Sequence, residues 1–370
     1  MATPRIALLL GSLLLLISPV LQAASLSQKT LELQPGLHYQ NITTFKFQAI
    51  HVLEIDPKRF ILKSVHAENK LLGRTTVEQM AKQHNAIAAI NGGFFEAGDT
   101  IDGLPAGILK IAKQWYSIAY QNRAAMGWSS SHHDSVLIDR VQTKTSLNIH
   151  GKNYPVHGIN RPLQSNRCIV YTSLYGETPS PRDTNAMDVI IENNRVVNIK
   201  PAGKSIIPQN GLVYAIGSRG LAKLKQPKIG EKVDFKIEVL PQFSPQKREE
   251  WKKIENIVGG APVLIDNGNA IRSFSTERMP RAFTYEPHAR TAFGVLKNGH
   301  WIVVVVEQNL NHGSMGMTIP ELAQLMKKLG ATTALNLDGG SSSSLYLSDP
   351  AQIGYPNFRQ VSDAILVLPR

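Results

Sequence analysis

Residues 318–340, TIPELAQLMKKLGATTALNLDGG, contain a helix, a short apolar strand, one polar residue and two glycines. Thr318 and Glu321 have the spacing of a capping box, in which each side chain binds the free backbone amide of the other residue. Pro320 is tolerated in the first helical turn, and Gly330 suits the carboxyl-terminal cap. The spacing therefore predicts an amphipathic helix whose apolar face is formed by Ile319, Leu322, Leu325, Met326 and Leu329.

The same unit occurs earlier in the chain, in residues 75–95, TTVEQMAKQHNAIAAINGGFF. Thr75 and Glu78 again have the spacing of a capping box, and the apolar run that follows ends at Asn91-Gly-Gly. The repetition fits a distant internal duplication or convergence on one supersecondary unit. In either case, we expect two strands that each end in a polar side chain followed by backbone without a Cβ.

The rest of the sequence predicts many short strands. Residues 188–192 and 195–199 flank Asn193-Asn194 and are expected to form a hairpin. A second hairpin is expected for residues 291–296 and 301–306, because the turn between them contains an Asn-Gly pair that readily adopts positive φ angles.

Two further features complete the prediction of the fold. The run WIVVVV at 301–306 is apolar at every position, which is typical of a central strand covered on both faces. Strands at 45–55 and 60–66 are expected to pair across a short turn. No strong interdomain linker is present, so we predict one domain over residues 25–370, with a motif-bearing core from about 75 to 370. The predicted class is α+β, with mixed, mostly antiparallel sheets and a few packed helices.

The first 24 residues have the pattern of a secretory signal peptide. Arg5 supplies the positive flank, an apolar run covers 6–20, and the small residues Ala23 and Ala24 follow, so that cleavage after either alanine is compatible with the sequence. An uncleaved anchor is the alternative. No later stretch reaches about 18 apolar residues, which predicts no transmembrane segment in the mature chain. We therefore expect an exported protein, either periplasmic or secreted.

Composition narrows the class of protein further. The 370 residues include 40 Lys and Arg against 28 Asp and Glu, a formal charge of +12, which indicates either a partner of acidic character or ordinary basic composition. The single cysteine, Cys168, excludes an intramolecular disulfide and any multi-cysteine metal site, and its apolar neighbours predict a buried strand thiol. No zinc-protease, phosphate-loop or dinucleotide motif is present, so we expect no cofactor, no bound metal and no nucleic-acid partner.

Asp338-Gly339-Gly340 followed by four serines is the strongest candidate for a chemical site. A carboxylate at a strand end lies at the rim of a sheet, and two glycines let backbone N–H groups approach a ligand and form an anion-binding nest. Hydroxyl groups such as those of Ser341 and Ser342 add adaptable donors. The alternative is a glycine turn with a surface aspartate.

Asn91-Gly92-Gly93-Phe94-Phe95 supplies an uncharged amide at the matching position. We expect the Asn91 amide to hydrogen-bond the hydroxyl groups of a sugar, with the phenylalanines as a wall against the sugar ring. An Asn-Gly turn with core phenylalanines is the alternative.

Arg290 and His288 begin the strand before the second hairpin, and their spacing of two places them on one face. Arginine offers a planar charged fork that matches phosphate oxygens, and histidine can donate or shuttle a proton near neutral pH. A salt bridge for Arg290 and a solvated loop position for His288 are the alternatives.

The polar segment 272–289 is a candidate lid or a plain surface loop. The adjacent histidines at 132–133 have poor spacing for a metal, whereas His312 is a further candidate for the cleft.

Together these residues resemble the phosphodiester glycosidase domain family, whose motifs occur here in the family order over roughly residues 30–370. Two departures are Ala289, where the family often has proline, and Ser341, where it often has a third glycine. The segments that carry the resemblance are Asn91-Gly-Gly-Phe-Phe, Pro105-Ala-Gly107, Gly260-Ala-Pro-Val-Leu-Ile, His288-Ala-Arg290-Thr-Ala-Phe-Gly294, Gly316-Met-Thr318 with Glu321-Leu-Ala, and Asn336-Leu-Asp338-Gly-Gly-Ser.

The resemblance implies a hydrolase that cleaves the glycosidic bond of a sugar-1-phosphodiester and releases the sugar and a phosphomonoester. It implies catalytic roles for Asn91, Arg290 and Asp338. The residues expected to bind substrate around them are Gly92, Gly93, His288, Gly339, Gly340, Ser341 and Ser342. The expected partner is a phosphorylated glycan or a sugar-1-phosphodiester.

Asp338 needs a second carboxyl group for a two-carboxylate mechanism, and Glu96, Asp99 and Asp102 are the candidates near the Asn91 motif. Because the distance between the carboxyl groups is not fixed by sequence, retention and inversion both stay open. Two other functions also stay open: a non-catalytic envelope protein that binds acidic glycans, and a phosphodiesterase that breaks the phosphorus–oxygen bond.

Overall fold

The computed structural model describes residues 28–43, 48–69, 71–119, 122–129, 132–180, 183, 185–309, 313–349 and 354–370. The predicted signal peptide at 1–24 lies outside these residues. The described strands, in chain order, are β1 (Gln28–Gln34), β2 (Leu37–Thr43), β3 (Ala49–Ile55), β4 (Phe60–His66), β5 (Ala88–Asn91), β6 (Leu109–Ile111), β7 (Gln114–Ser117), β8 (Arg123–Ser129), β9 (His132–Ile149), β10 (Lys152–Tyr154), β11 (Gly158–Ile159), β12 (Cys168–Tyr171), β13 (Met187–Glu192), β14 (Arg195–Pro201), β15 (Gly211–Ile216), β16 (Val233–Pro241), β17 (Asn256–Gly259), β18 (Val263–Asp266), β19 (Asn269–Ala270), β20 (Arg290–Leu296), β21 (Trp301–Val306), β22 (Ala331–Asn336), β23 (Leu345–Leu347) and β24 (Asp363–Pro369). The helices are α1 (Val77–Gln83), α2 (Ser218–Leu221), α3 (Arg248–Lys253), α4 (Arg281–Tyr285) and α5 (Ile319–Lys328).

An eight-stranded antiparallel sheet has the order β1-β2-β3-β21-β20-β22-β18-β19. The predicted hairpin of β20 and β21 is confirmed, and it lies at the centre of this sheet. Every residue of β21 is buried, as the apolar run at 301–306 predicts for a strand covered on both faces. Alternate residues of β21 therefore contribute to two separate cores.

A four-stranded antiparallel sheet, with the order β23-β5-β24-β4, packs against one face of the eight-stranded sheet. The predicted hairpin of strands 45–55 and 60–66 is wrong. The turn at Asp56 instead carries the chain from one sheet to the other, because β3 pairs with β2 and β21 whereas β4 pairs with the distant β24. This packing places the ends of β5 and β22 next to each other.

Helix α5 covers the other face of the eight-stranded sheet. Thr318 and Glu321 form the predicted capping box. The buried side chains of α5 pack against β18 and β22 of this sheet. The charged ends of the helix match its dipole, with Glu321 in the first turn and two lysines in the last.

Helix α1 packs on the outer face of the four-stranded sheet. The predicted capping box of Thr75 and Glu78 is wrong by one residue: Thr76 is the cap and accepts a hydrogen bond from the backbone N–H of Gln79, 3.1 Å away. Glu78 instead forms an ion pair with Lys82 on the helix surface. The central part of the structure thus has four layers, helix, sheet, sheet and helix.

Two further sheets extend the structure. A seven-stranded antiparallel sheet has the order β10-β9-β8-β17-β6-β7, with β16 paired to β9. A five-stranded sheet has the order β11-β12-β15-β13-β14, which includes the predicted hairpin at Asn193-Asn194 and one parallel pair, β11 with β12. Cys168 is buried in β12, as predicted. The described chain is thus mostly antiparallel sheet with few helices, and no helix in it is long and apolar enough to cross a membrane.

Candidate functional site

The two polar strand ends that the sequence singles out do meet. The side-chain Nδ2 of Asn91, at the end of β5, donates to the backbone oxygen of Asp338 at 2.8 Å. In return, the backbone N–H of Asp338 donates to the backbone oxygen of Gly92 at 3.2 Å. The turn after β5 and the turn after β22 are therefore bonded directly to each other, although they belong to different sheets.

The Asn91 amide joins three parts of the fold. Its Oδ1 accepts a hydrogen bond from the hydroxyl of Thr291 on β20, at 2.8 Å, and another from the backbone N–H of Ser344, at 3.2 Å. The residue is 1% exposed. The expected bidentate contact of this amide with a sugar is therefore not matched, because the amide already binds protein groups. Its geometry is that of a positioning residue.

Asp338 is partly exposed, and its Oδ1 accepts a hydrogen bond from the backbone N–H of Gly339 at 2.8 Å. The Ser342 hydroxyl binds the same carboxyl group. Burial, followed by the nearby charge of Asp363, raises the pKa of Asp338 to about 6, although these hydrogen bonds act in the opposite direction. Asp338 thus exchanges a proton close to neutral pH.

The anion-binding nest expected at the glycines does not form in this structure. The N–H of Gly339 is used by the Asp338 carboxylate, and that of Gly340 donates to the backbone oxygen of Ala289 at 2.8 Å. Gly340 begins a single helical turn with a φ of 60°, a conformation that favours glycine. Ser341 is exposed, and its backbone oxygen accepts a hydrogen bond from Asn357. The tight turn therefore uses the amides that the sequence predicts to be free.

A second carboxyl group, Asp363, lies beside the Asn91 turn, and the sequence prediction missed it. Its Oδ2 accepts from the backbone N–H of Gly93 at 3.0 Å, and its Oδ1 from the hydroxyl of Ser362 at 2.7 Å. The Gly92 N–H donates to the backbone oxygen of Asp363 at 2.9 Å. The side chain is buried, and burial raises its pKa to about 6. The signal in the sequence is a polar pair directly before the apolar run of β24.

Of the three carboxyl groups proposed from sequence, Asp102 is engaged elsewhere. Asp102 forms an ion pair with Arg74, with 2.9 Å between Oδ2 and Nε, and hydrogen bonds from the Gly98 N–H and from Arg74 lower its pKa. The backbone of Glu96 pairs with that of Leu104 in the same loop. The side chain of Asp99 lies outside the described residues.

The glycines of the Asn91 turn are required by close contacts. A Cβ at Gly92 would lie 1.9 Å from Oδ2 of Asp363, and a Cβ at Gly93 would lie 2.9 Å from the backbone oxygen of Gly259. Both distances are shorter than side chains tolerate. The turn therefore fits between Asp363 on one side and the end of β17 on the other.

Arg290 is fully buried beneath the second turn. Its Nε donates to the backbone oxygen of Met317 at 2.7 Å, and its Nη2 donates to the backbone oxygens of Phe283 at 2.7 Å and Glu286 at 2.9 Å. The guanidinium also lies 4.9 Å from the ring centre of Phe283. Within the described chain, no carboxylate pairs with it, and burial lowers its pKa to about 10. The predicted phosphate fork is thus largely occupied by backbone carbonyls.

His288 lies two residues before Arg290 and is partly exposed. Its backbone pairs with that of Met317, which joins the start of β20 to the loop before α5. Burial and the charge of Arg290 lower the pKa of the imidazole. The imidazole is therefore held in its neutral form, in which one ring nitrogen donates and the other accepts.

The candidate lid at 272–289 is anchored rather than free. Glu277 is 4% exposed, and its two oxygens accept hydrogen bonds of 2.8 Å from the backbone N–H groups of Ala124 and Val263. Burial raises the pKa of Glu277 to about 7. Phe274 and Thr284 are also buried. The segment therefore forms a fixed wall beside the site.

A narrow cleft adjoins the Asn91 turn. Three of the sequence motifs meet there: Phe94 of the first, Ala106 and Gly107 of the second, and Gly260 of the third. The Phe94 ring also packs edge-on against Phe283, with 5.9 Å between ring centres. The full lining consists of Phe94, Ala106, Gly107, Ile108, Ala119, Arg123, Ala124, Gly259 and Gly260.

The remaining histidine candidates fall outside what the structure describes. The side chains of the histidines at 132–133, and the whole of His312, lie outside the described residues. In the part of the chain that the structure describes, no three His, Cys, Asp or Glu side chains form a group that could hold a metal ion.

Comparison with known proteins finds a family match over part of this chain. Residues 185–368 match the family model described as phosphodiester glycosidase, which confirms the resemblance. This range includes Asp338, Asp363, Arg290 and His288 but not Asn91. An uncharacterised protein of Rickettsia conorii is 27% identical over 232 residues, which are 62% of this chain and 77% of the relative.

Two solved structures share the fold. A hypothetical protein from Synechocystis has a TM-score of 0.80 and 24% identity over 94% of this chain, and the chain spans 64% of that protein. A candidate exported protein from Burkholderia pseudomallei has a TM-score of 0.71 and 21% identity over 89% of this chain and 74% of that protein. At these identities the likeness concerns the fold alone.

Proposed function

We propose that this chain, whose residues 185–368 match the phosphodiester glycosidase family model, hydrolyses the glycosidic bond of a sugar-1-phosphodiester. The observation that carries the proposal is the carboxyl pair on either side of Gly92. Asp338 and Asp363 interact electrostatically, and each has a pKa raised to about 6. Enzymes that hydrolyse glycosidic bonds commonly use two carboxyl groups, at least one of which has a shifted pKa.

The two carboxyl groups differ in access, and this difference assigns their roles. Asp338 is partly exposed and meets the substrate, whereas Asp363 is buried behind the Gly92-Gly93 turn. Asp363 holds the turn through the Gly93 N–H and raises the pKa of Asp338. With a pKa of about 6, the Asp338 carboxylate is available as a base near neutral pH.

The reaction follows from this arrangement. Asp338 accepts a proton from water, the water oxygen bonds to the anomeric carbon, and the bond between that carbon and the phosphate oxygen breaks. The electron pair leaves with the phosphomonoester. A phosphate ester is already a stable leaving group, so fixed positive charge near it matters more than a strong general acid.

Asn91 and Arg290 serve this site as positioning residues. Asn91 holds the Asp338 turn against β20 through its contact with Thr291. Arg290 lies under Gly339, whose Cβ position would be 3.8 Å from Cδ of Arg290. Its charge acts on the site from below while its donors bind carbonyls. Gly339, Gly340, Ser341 and Ser342 shape the turn.

The test is turnover of a panel of glycosyl phosphodiesters by the wild type and by Asp338→Asn, with free sugar as the readout. We expect at least about a 100-fold loss of kcat with an unchanged melting temperature. Asp266→Asn, a carboxyl group at the end of β18, is the matched control and should keep full activity. Near-normal turnover by Asp338→Asn contradicts the assignment of the site.

Isotopically labelled water separates this reaction from its rivals. Heavy oxygen in the released sugar supports glycosidic cleavage, whereas heavy oxygen in the phosphate indicates a phosphodiesterase. Salt-sensitive binding of an acidic glycan without turnover of any phosphodiester in the panel indicates a binding protein.

The proposal includes export of the chain to the periplasm or the medium. Its support is the signal-peptide pattern of the first 24 residues and the shared fold of the candidate exported protein from Burkholderia pseudomallei. Fractionation of a bacterial host that expresses the full chain tests it: export predicts a mature protein outside the cytoplasm that begins near residue 24 or 25. Full-length protein in the cytoplasm contradicts export.

A further inference from the structure

Among the described residues that line the cleft beside the Asn91 turn, one carries a charged side chain, Arg123 at the start of β8. The other lining residues are apolar or glycine. A lone cation on the wall of an otherwise uncharged cleft indicates selection for an anionic group.

The guanidinium of Arg123 has unused hydrogen-bonding capacity. Its Nε is buried and has no hydrogen-bond partner, and no carboxylate of the described residues forms an ion pair with the side chain. The charge of Arg123 acts to lower the pKa of Glu277, but both oxygens of Glu277 already accept backbone N–H groups and neither bonds the guanidinium. A buried cationic donor without an acceptor is costly, and an anionic ligand would remove that cost. Arg290 differs, because carbonyls occupy its Nε and Nη2.

The wall of the cleft packs against the two turns that carry the carboxyl pair. Gly93 binds Asp363 through its N–H and lies against the backbone oxygen of Gly259, which lines the cleft. A Cβ on Gly260, the next lining residue, would lie 2.3 Å from the backbone oxygen of Asn336, two residues before Asp338. Gly259 and Gly260 therefore join the wall of the cleft directly to both turns.

We propose that Arg123 is a substrate-binding residue that holds the phosphate of the substrate in this cleft, an inference that rests on the proposed function. The planar fork of arginine matches two phosphate oxygens. Apolar walls such as Phe94 keep water from competing for this contact and strengthen it. The phosphate specificity of the site thus comes from Arg123, and Arg290 supports the fold of the site.

The test compares two substrates that contain the same sugar, a sugar-1-phosphodiester and the neutral 4-nitrophenyl glycoside. Arg123→Gln should raise KM for the phosphodiester roughly 10- to 100-fold and leave KM for the neutral glycoside within about twofold. Arg123→Lys keeps the charge without the fork and should give an intermediate KM. It also provides a folded variant if the glutamine variant does not fold.

Arg140→Gln is the matched control. Arg140 also has a buried Nε without a partner and also acts on Glu277, but it stacks on Phe243 and does not line the cleft. Its KM values should match those of the wild type. Equal rises in KM for both substrates in Arg123→Gln, or no rise at all, overturn the assignment of Arg123 and leave the proposed function standing.

Titration calorimetry with inorganic phosphate at low ionic strength separates the two proposals if the wild type cleaves no phosphodiester. Phosphate binding that is lost in Arg123→Gln and kept in Arg140→Gln supports the anion site even though the proposed function fails. No phosphate binding by the wild type, or equal binding by Arg123→Gln, overturns the anion site.

Discussion

Replacement of Gly92 by alanine tests the packing on which the carboxyl pair depends. The added Cβ would lie 1.9 Å from Oδ2 and 2.8 Å from Cγ of Asp363, whereas real Cβ atoms essentially never approach within 3.0 Å of such atoms. The Asp363 carboxylate must therefore move by more than 1 Å. It cannot do so freely, because its two oxygens bind the Gly93 N–H and the Ser362 hydroxyl.

The size of the effect follows from these two hydrogen bonds. A hydrogen bond to a charged group contributes about 1.5 kcal/mol or more, so the loss of both should reduce the free energy of unfolding by about 3 kcal/mol. Urea-induced unfolding measures this difference. Gly107→Ala is the matched control, because no atom lies within 4 Å of its Cβ position, and it should stay within about 0.5 kcal/mol of the wild type.

A double-mutant cycle identifies the cause. Asp363→Ala removes the carboxylate with which the new methyl group collides, so Gly92→Ala should cost about 1 kcal/mol or less in that background. A full cost of Gly92→Ala in the Asp363→Ala background, or no cost in the wild type, would refute the clash as the physical reason for the glycine.

Three further outcomes are expected. Burial raises the pKa of Asp338 and of Asp363 to about 6, so the folded protein binds their protons more tightly than the unfolded chain does. The resulting stabilisation is complete below about pH 4 and is lost as the pH rises through about 6. Asp363→Asn should therefore weaken the dependence of the free energy of unfolding on pH in that window, as measured by urea unfolding. Arg290→Met should lower the free energy of unfolding by roughly 3 kcal/mol, because backbone carbonyls lose their donors. Arg281 is exposed, and Arg281→Met should change the free energy of unfolding by less than about 0.5 kcal/mol. An Arg290→Met variant that is stable but inactive would instead indicate direct contact of Arg290 with substrate. Cys168, whose pKa burial raises, should resist an aromatic disulfide reagent in the native protein and react once urea unfolds it, and rapid native labelling would contradict its burial.

Local patterns predicted the parts of the fold that depend on neighbouring residues. The capping box of Thr318, the hairpin at Asn193-Asn194 and the doubly covered strand β21 follow from turn chemistry and periodicity, and all three are confirmed. The predicted cap of α1 was wrong by one residue. Thr75 and Thr76 are adjacent, and each is followed three positions later by an acceptable capping-box partner, Glu78 or Gln79. The false pairing of 45–55 with 60–66 arose because the distant β24 competes successfully for β4.

The candidate site was predictable where polar residues end a strand, and unpredictable where distant chain segments complete it. Asn91 and Asp338 were found by this rule, and the structure bonds them to each other. Asp363 begins a strand instead and reaches the site only because β24 pairs with β5. The charge of Arg290 was also evident from the sequence. Its hydrogen-bond acceptors were not, because they are backbone oxygens whose positions depend on tertiary packing.

The contacts of Arg290 restrict how the site can open. One side chain binds backbone oxygens at Phe283, Glu286 and Met317, and so couples the segment 272–289 to the residues before α5. Outward movement of either segment would leave the buried Arg290 cation without its hydrogen-bond acceptors. Both segments should therefore keep their positions while substrate binds and product leaves. Substrate entry and product release should then need no opening of these segments. Amide hydrogen exchange at 281–286 should be as slow during turnover as in the free protein.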